Sequence, residues 1–453
     1  MSVPSASRAG RIGPYEIVGT IGRGGMAEVL LARVAGADGF SREVVIKRVL
    51  PELAHEREFI DMFRDEARIT AQLRHGNIAQ VLDFRHDDGQ YYLLLEYVDG
   101  PSLVRVLEDA TQRKSPLPYA VVAFVLSEVA RALDYAHRKR DERGEALGVI
   151  HRDVSPSNVL VSRDGEVKLT DFGIARASAR LVNTAAGSVK GKIGYMAPEA
   201  LLGEPTYRSD LFSLGIMGFE MVAGHVPFAA PTNEARMFRV VTEQAPHLAT
   251  IAPETPVALA DVIARLLAKE ESARPARAAE VAEALAVLVA SPPEPVQETL
   301  AARVLGVACA GPAPVPPPEA VTRAASRVSS RKRTAVLVDA SATMRALLRG
   351  AVSPGLDTIE VDSAEGAVAA MSDRSIALVV AQQHLPGGTS GLDLCRMLRA
   401  NPAFARVTFV LAVFEVTPAI EQEARTAGVS VVLGKSDPRA LVAAVRELAE
   451  DYG

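Results

Sequence analysis

Cysteine is scarce in this chain: only Cys309 and Cys395 occur, far apart and in unrelated contexts. Neither a disulfide framework nor a zinc ligand set can be built from them, and a reducing compartment suits that pattern. The 8 histidines show no ligand-like spacing. No apolar run reaches the ~18 to 20 residues of a membrane span, and the opening MSVPSASRAGR lacks the apolar core of a secretory signal. A cytoplasmic location is therefore expected. Neither sign of charge dominates: 50 Lys and Arg against 55 Asp and Glu leave a net charge of -5, which gives no general attraction to nucleic acid or to an anionic membrane.

What is present is enough apolar residue, 48% over 453 positions, for more than one sizeable core. The most informative stretch is HRDVSPSNVLVSRDGEVKLTD, from His151 to Asp171. Apolar residues alternate at Val159 and Val161, then at Val167 and Leu169, with Asp164 and Gly165 between them. That spacing predicts two strands joined by a tight turn. The hairpin returns Asp171 beside Asn158 and leaves Asp153 nearby, so one carboxylate and one amide oxygen can hold magnesium while a second carboxylate serves as base.

HRDVSPSN followed by Asp171, Phe172 and Gly173 resembles the catalytic and magnesium loops of the eukaryotic-like protein kinases. The resemblance extends over about residues 15 to 290. The glycine-rich turn Ile21 to Val29 meets the family pattern at Gly22, Gly24 and Val29, with Ala27 where the third glycine usually stands. Lys47 closes the strand Glu43 to Lys47, and Glu66 lies in a helical stretch from Glu58 to Leu73. The resemblance implies that Glu66 pairs with Lys47 and holds it over the α and β phosphates of ATP. It also implies an adenine pocket with Leu95 as gatekeeper, backbone from Glu96 to Val98 on the adenine edge, Leu160 as floor, and Ile21, Val29 and Val45 above. Asn158 and Asp171 would hold Mg2+, and Asp153 would orient and deprotonate the acceptor hydroxyl. Pro156 favours serine or threonine as that acceptor, so protein substrates with Ser/Thr hydroxyls are expected.

Downstream, a helix is expected from Tyr119 to His137, then a charged excursion from Arg138 to Gly148. Ala197, Pro198 and Glu199 match the end of the kinase activation segment, and Arg274 resembles the arginine that pairs with that glutamate. Ser178, Thr184 and Ser188 are the candidate phosphoacceptors within the segment, with Arg152 the cation to bind a phosphate there. The chain departs from the pattern twice. Ser155 stands where Ser/Thr kinases carry a lysine, and Lys192 stands where they carry a threonine that contacts the catalytic aspartate. Because those two positions face each other in the family, Lys192 is expected to supply the missing charge as a catalytic residue.

Proline-rich and then basic composition from 291 to 333 reads as a connector, with an apolar stretch from Thr299 to Ala308 that suits a helix docking on the kinase. Residues 334 to 453 alternate strand and helix signals, with strands expected at 335–339, 357–361, 376–381, 407–413 and 429–433. That is the pattern of a flavodoxin-like (βα)5 doubly wound domain. Val336 to Arg345, His384 to Gly387, and Lys435 with Ser436 resemble the landmarks of a response-regulator receiver. The phosphoacceptor position, however, falls on Gln382, and only Asp339 remains of the acidic pair.

The expected architecture is thus a tail at 1–13, an α+β bilobal protein kinase fold at 14–290 (lobes 14–98 and 99–290), a linker at 291–333, and a receiver-like module at 334–453. That module would serve docking to a protein partner or dimerisation, including a homodimer. The leading function is an ATP-dependent serine/threonine kinase of bacterial-type signalling, and the alternative is a catalytically weak scaffold.

Overall fold

A computed structural model describes residues 10–23, 27–36, 40–50, 52–53, 56–87, 90–172, 192–202, 204–290, 295–305, 307, 333–352, 355–371 and 375–452. The chain divides into two compact units, Met1–Pro227 with Ala245–Glu319, and Phe228–Gln244 with Ala320–Gly453.

The first unit opens with strands β1 (Arg11–Ile12), β2 (Tyr15–Arg23), β3 (Ala27–Ala35) and β4 (Ser41–Val49), helix α1 (Arg57–Thr70), and strands β5 (Val81–Asp87) and β6 (Gln90–Glu96). These strands form an antiparallel sheet in the order β1-β2-β3-β4-β6-β5. Residues of alternate parity face opposite sides of such a sheet. Leu30, Ala32, Val44, Ile46 and Leu94 bury one face, while Val45, Leu93 and Leu95 bury the other against Phe63 and Ala67 of α1.

A mainly helical layer follows: α2 (Leu103–Gln112), α3 (Tyr119–His137), the short strands β7 (Val159–Val161) and β8 (Val167–Leu169), α4 (Pro198–Leu201) and α5 (Tyr207–Ala223). After α6 (Asn233–Thr242), which falls in the second unit, come α7 (Leu248–Ile251), α8 (Val257–Leu266), α9 (Ala279–Ala290) and α10 (Val296–Leu305). Helix α5 is apolar on nearly every side, which suits a central helix, and it is buried from Ser209 through Phe219. Gly215 allows its close approach to α8, since a Cβ there would stand 2.7 Å from Leu266 Cβ. Helix α3 spans the expected residues, and the Arg138 to Gly148 excursion is a mostly exposed turn closed by a bridge between Arg140 and Ala146. Helix α10 occupies most of the described part of the expected linker and begins three residues before the expected Thr299, directly after Pro295.

In the second unit β9 (Thr334–Val338), α11 (Ala342–Val352), β10 (Asp357–Val361), α12 (Ala364–Met371), β11 (Ile376–Gln382), α13 (Gly391–Ala400), β12 (Thr408–Val413), α14 (Pro418–Ala427), β13 (Val431–Gly434) and α15 (Pro438–Glu450) alternate. The strands are parallel, in the order β10-β9-β11-β12-β13. Each lies within two residues of its expected position. Helix starts are set by side chains: Ser390 and Asp393 form a capping box at α13, and Asp437 accepts from the first amides of α15 ahead of Pro438. Among the described residues no helix of the chain is long and apolar enough to cross a membrane.

Candidate active site

The site is assembled from three short elements whose register fixes its side chains. In the β-sheet, Val29 pairs with Lys47, and Val45 pairs with Leu95, so three apolar residues and the lysine lie on neighbouring strands. Ile21 and Val29 are half-buried against the cluster that contains Val45 and Leu95. Gly22 pairs with Val29 across the β2–β3 turn. Gly24 lies outside the described residues. Val98 is buried, Glu96 half-buried, and Leu160 forms a backbone bridge to Ser102. Glu96 Oε1 lies 2.9 Å from Lys168 Nζ of β8.

Lys47 Nζ donates to Glu66 Oε1 at 2.8 Å and to Asp171 Oδ1 at 2.9 Å. Burial alone would lower the ammonium pKa, but the carboxylates of Asp171 and Glu66 outweigh it and hold Lys47 charged, above its ordinary value. For Glu66 burial is the larger influence and pushes the carboxyl up, against the pull of Lys47. The expected pair of Lys47 and Glu66 is therefore present, with Asp171 as its third member.

The predicted hairpin forms, with Val159 opposite Leu169 and Gly165 at a φ of 78 in its turn. Thr170 N donates to Asn158 O at 2.9 Å, which ties the two ends together. Asn158 Nδ2 donates to Asp153 O at 2.8 Å and to Asp153 Oδ2 at 2.9 Å. With the amide nitrogen spent in this way, the amide oxygen is the atom left to meet a hard cation. Asp171 sits at a φ of 57, a left-handed conformation uncommon outside glycine, and Phe172 beside it is buried, its ring 4.5 Å from that of His151. Such a backbone state persists only where its surroundings enforce it.

His151 is buried, and burial lowers its pKa, which favours the neutral ring. Its Nδ1 accepts from Asp153 N at 3.2 Å, which leaves Nε2 to donate to Thr170 O at 3.1 Å. One residue of this scaffold had no role assigned from sequence. Asp210, 1% exposed, accepts from His151 N and Arg152 N, both at 2.8 Å, and lies 2.7 Å from His137 Nε2. A carboxylate in the first turn of a largely apolar helix was the available signal.

Arg274 is fully buried, and all five of its donors are used. It reaches Glu199 Oε1 at 2.6 Å and Oε2 at 3.0 Å, with the backbone oxygens of Ala268, Lys269 and Arg208 taking the rest. Burial disfavours the Glu199 charge, but Arg274 and the Ser209 hydroxyl outweigh it and hold the carboxyl below its ordinary value. The ionised form is thus favoured by folding. Its contribution is complete above the ordinary carboxylate pKa and is lost as pH falls through the depressed one. Ser209 Oγ donates to Glu199 at 2.6 Å and accepts from Thr206 N at 2.9 Å. Ser209→Ala is expected to cost about 1–2 kcal/mol in urea unfolding through loss of this bond and of the helix cap.

Ser155 is buried, with its hydroxyl 3.0 Å from that of Ser157. Lys192 begins a single 3-10 turn running to Tyr195, and its side chain lies outside the described residues, as do Ser178, Thr184 and Ser188.

The protein kinase domain family profile matches residues 15–286, more than half of the chain. The chain belongs to the protein kinase family. Its kinase region is 41% identical over 274 residues to the tyrosine-protein kinase MasK of Myxococcus xanthus, an alignment covering 60% of this chain and 42% of that protein. It is 33% identical over 259 residues to the serine/threonine-protein kinase PrkC of Bacillus subtilis, covering 57% and 38% respectively. The chain thus spans about two fifths of the length of these two relatives. Among solved structures, the PknI kinase domain of Mycobacterium tuberculosis is 28% identical, with a TM-score of 0.47, and covers 63% of this chain and 100% of that one.

Proposed function

We propose that the chain is an ATP-dependent protein kinase that transfers the γ-phosphoryl group of Mg-ATP to serine or threonine hydroxyls of proteins. The observation that carries this reading is the joint presence of the Lys47, Glu66 and Asp171 triad and the Asp153 and Asn158 pair at the two ends of one hairpin. Magnesium, held by Asp171 and the Asn158 amide oxygen, supplies neutralisation of phosphate charge; a carboxylate with an amide oxygen is a donor set suited to that hard cation. Lys47, kept charged and aimed by Glu66, binds the α and β phosphates. The apolar walls Ile21, Val29, Val45, Leu95 and Leu160 suit an adenine ring, with backbone from Glu96 to Val98 on its edge. Asp153 orients the acceptor hydroxyl and takes its proton. Lys192 supplies the positive charge that Ser155 lacks.

Pro156 favours serine or threonine, whereas the name of the Myxococcus relative specifies tyrosine. Phosphoamino-acid analysis after incubating the purified chain with Mg-ATP decides between them. Phosphoserine or phosphothreonine is expected, and phosphotyrosine alone overturns the acceptor assignment. Arg152 Nε is buried and has no hydrogen-bond partner among the described residues, which supports a role in binding a phosphate on the activation segment, with Thr184 and Ser188 the preferred acceptors.

The second unit is read as a receiver-like, doubly wound module without a phosphorylation switch. Gln382 Oε1 accepts from Ala340 N at 3.3 Å, and Lys435 Nζ lies 2.7 Å from the buried Asp339 carboxylate. An amide cannot accept a phosphoryl group as an aspartate does, so docking to a protein partner or dimerisation remains for it. Ser155 favours a second reading, a weakly active scaffold, and nucleotide binding without any phosphate incorporation would select it.

A further inference from the structure

Helix α10 lies beyond residues 15–286, the span matched by the kinase family, yet it is built into the first unit. Val296, Leu300 and Val304 recur every fourth residue and are buried, as is Val307 just past the helix end. That stripe packs on α3. Its two ends are fixed by polar contacts to two different connections of the first unit. At the C-terminal end, Arg303 Nη1 donates to Ser115 Oγ at 2.8 Å and to Ser115 O at 3.3 Å, and Nη2 donates to Pro116 O at 3.3 Å. These acceptors lie in the connection between α2 and α3. At the N-terminal end, Gln297 Nε2 donates to Asp164 O at 3.1 Å, in the turn of the β7–β8 hairpin. The fit there is close: a Cβ on Gly165 would stand 2.2 Å from Gln297 O.

The hairpin needs outside support. Its strands have three residues each, and isolated two-stranded ribbons of that size are marginal in water. Backbone bonds hold its two edges, Val161 N to Pro101 O at 2.9 Å on one side and Leu169 N to Asn77 O at 2.8 Å on the other. The turn is held on one side by Arg163 N, which donates to Asp99 O at 2.8 Å, and on the other by Gln297 of α10. Asn158 immediately precedes β7, and Asp171 stands two residues after Leu169, so both flank the ribbon whose turn touches α10.

We propose that α10 is a positioning element of the nucleotide site, a brace that spans from the α2–α3 connection to the β7–β8 turn and sets the separation of Asn158 and Asp171. The inference rests on the kinase reading above. Arg303 and Gln297 are its positioning residues.

The test uses the full chain with Arg303→Ala, Arg303→Lys and Leu300→Asp, the last lifting the helix from α3. Two quantities are read: amide exchange across residues 157–172, and the free Mg2+ concentration that half-saturates nucleotide-dependent turnover. Arg303→Ala is expected to speed hairpin exchange about tenfold and raise the half-saturating Mg2+ about three- to tenfold, with metal-free ADP affinity unchanged. Leu300→Asp should exceed both changes, and Arg303→Lys should recover part of each. Faster exchange with an unaltered Mg2+ requirement overturns the proposal, because the helix then only stabilises the fold. Unaltered exchange overturns it as well. A wild-type chain that binds no nucleotide in the presence of Mg2+ is a separate result: it sinks the kinase reading, and the brace with it.

Discussion

Asp153→Asn is expected to lower phosphotransfer by about 10²- to 10⁴-fold, the range contributed by a positioned general base, while the fold and nucleotide affinity persist. The substitution keeps the shape of the side chain and removes its capacity to take a proton. Its neighbour Asn158 donates through Nδ2 to Asp153 Oδ2 and to the backbone oxygen of the same residue. An asparagine at 153 can present its amide oxygen to that donor, so the contact that orients Asn158 survives. His151 and Asp210 hold the loop through backbone amides, which the exchange does not touch. The loss should therefore fall on kcat, with KM for ATP nearly unchanged, the signature of an interaction made in the transition state. Autophosphorylation time courses beside ATP-analogue titrations check this. Retention of a tenth or more of wild-type turnover would remove Asp153 from the role of base.

The hairpin was legible because its information is local. Alternating valines around Asp164 and Gly165 specify both the strands and their turn, and the observed register follows. The Lys47 and Glu66 pair was legible only through resemblance, since nothing in the spacing of two residues 19 positions apart states that they touch. Asp210 shows the limit more sharply. Its function is to gather backbone amides from a loop 58 and 59 residues earlier in the chain, and such long-range convergence leaves no periodic trace in sequence. The start of α10 was misjudged by three residues for a different reason. By composition Pro295 belongs to a proline-rich connector, whereas its carbonyl accepts from Thr299 N and begins the helix. In the second unit the central strands β9, β11 and β12 were readable from composition, because parallel strands buried on both faces are nearly continuous apolar runs. The pairing of Lys435 with Asp339, 96 residues apart, was not.

Lys192→Ala is expected to lower turnover by about 10²- to 10³-fold, the scale of one preorganised charge at a transferring group. A phosphoryl group in transit carries negative charge on its equatorial oxygens, and protein kinases neutralise it with cations. Ser155 offers only a hydroxyl, buried and already 3.0 Å from Ser157 Oγ. The backbone turn that Lys192 begins is anchored just beyond it: Tyr195 O accepts from Ser213 Oγ at 2.7 Å, and Glu199 is gripped by Arg274. The exchange Ser155→Lys with Lys192→Thr restores the usual arrangement of the family and should recover most of the lost turnover. Ser155→Lys alone adds a second cation to the one already supplied and should leave turnover below that of the wild-type chain. A compensating pair therefore shows strong non-additivity in the double-mutant cycle, whereas two independent surface changes add. Full turnover in Lys192→Ala would sink the compensation, and Ser155 would then mark an enzyme that works with one cation fewer.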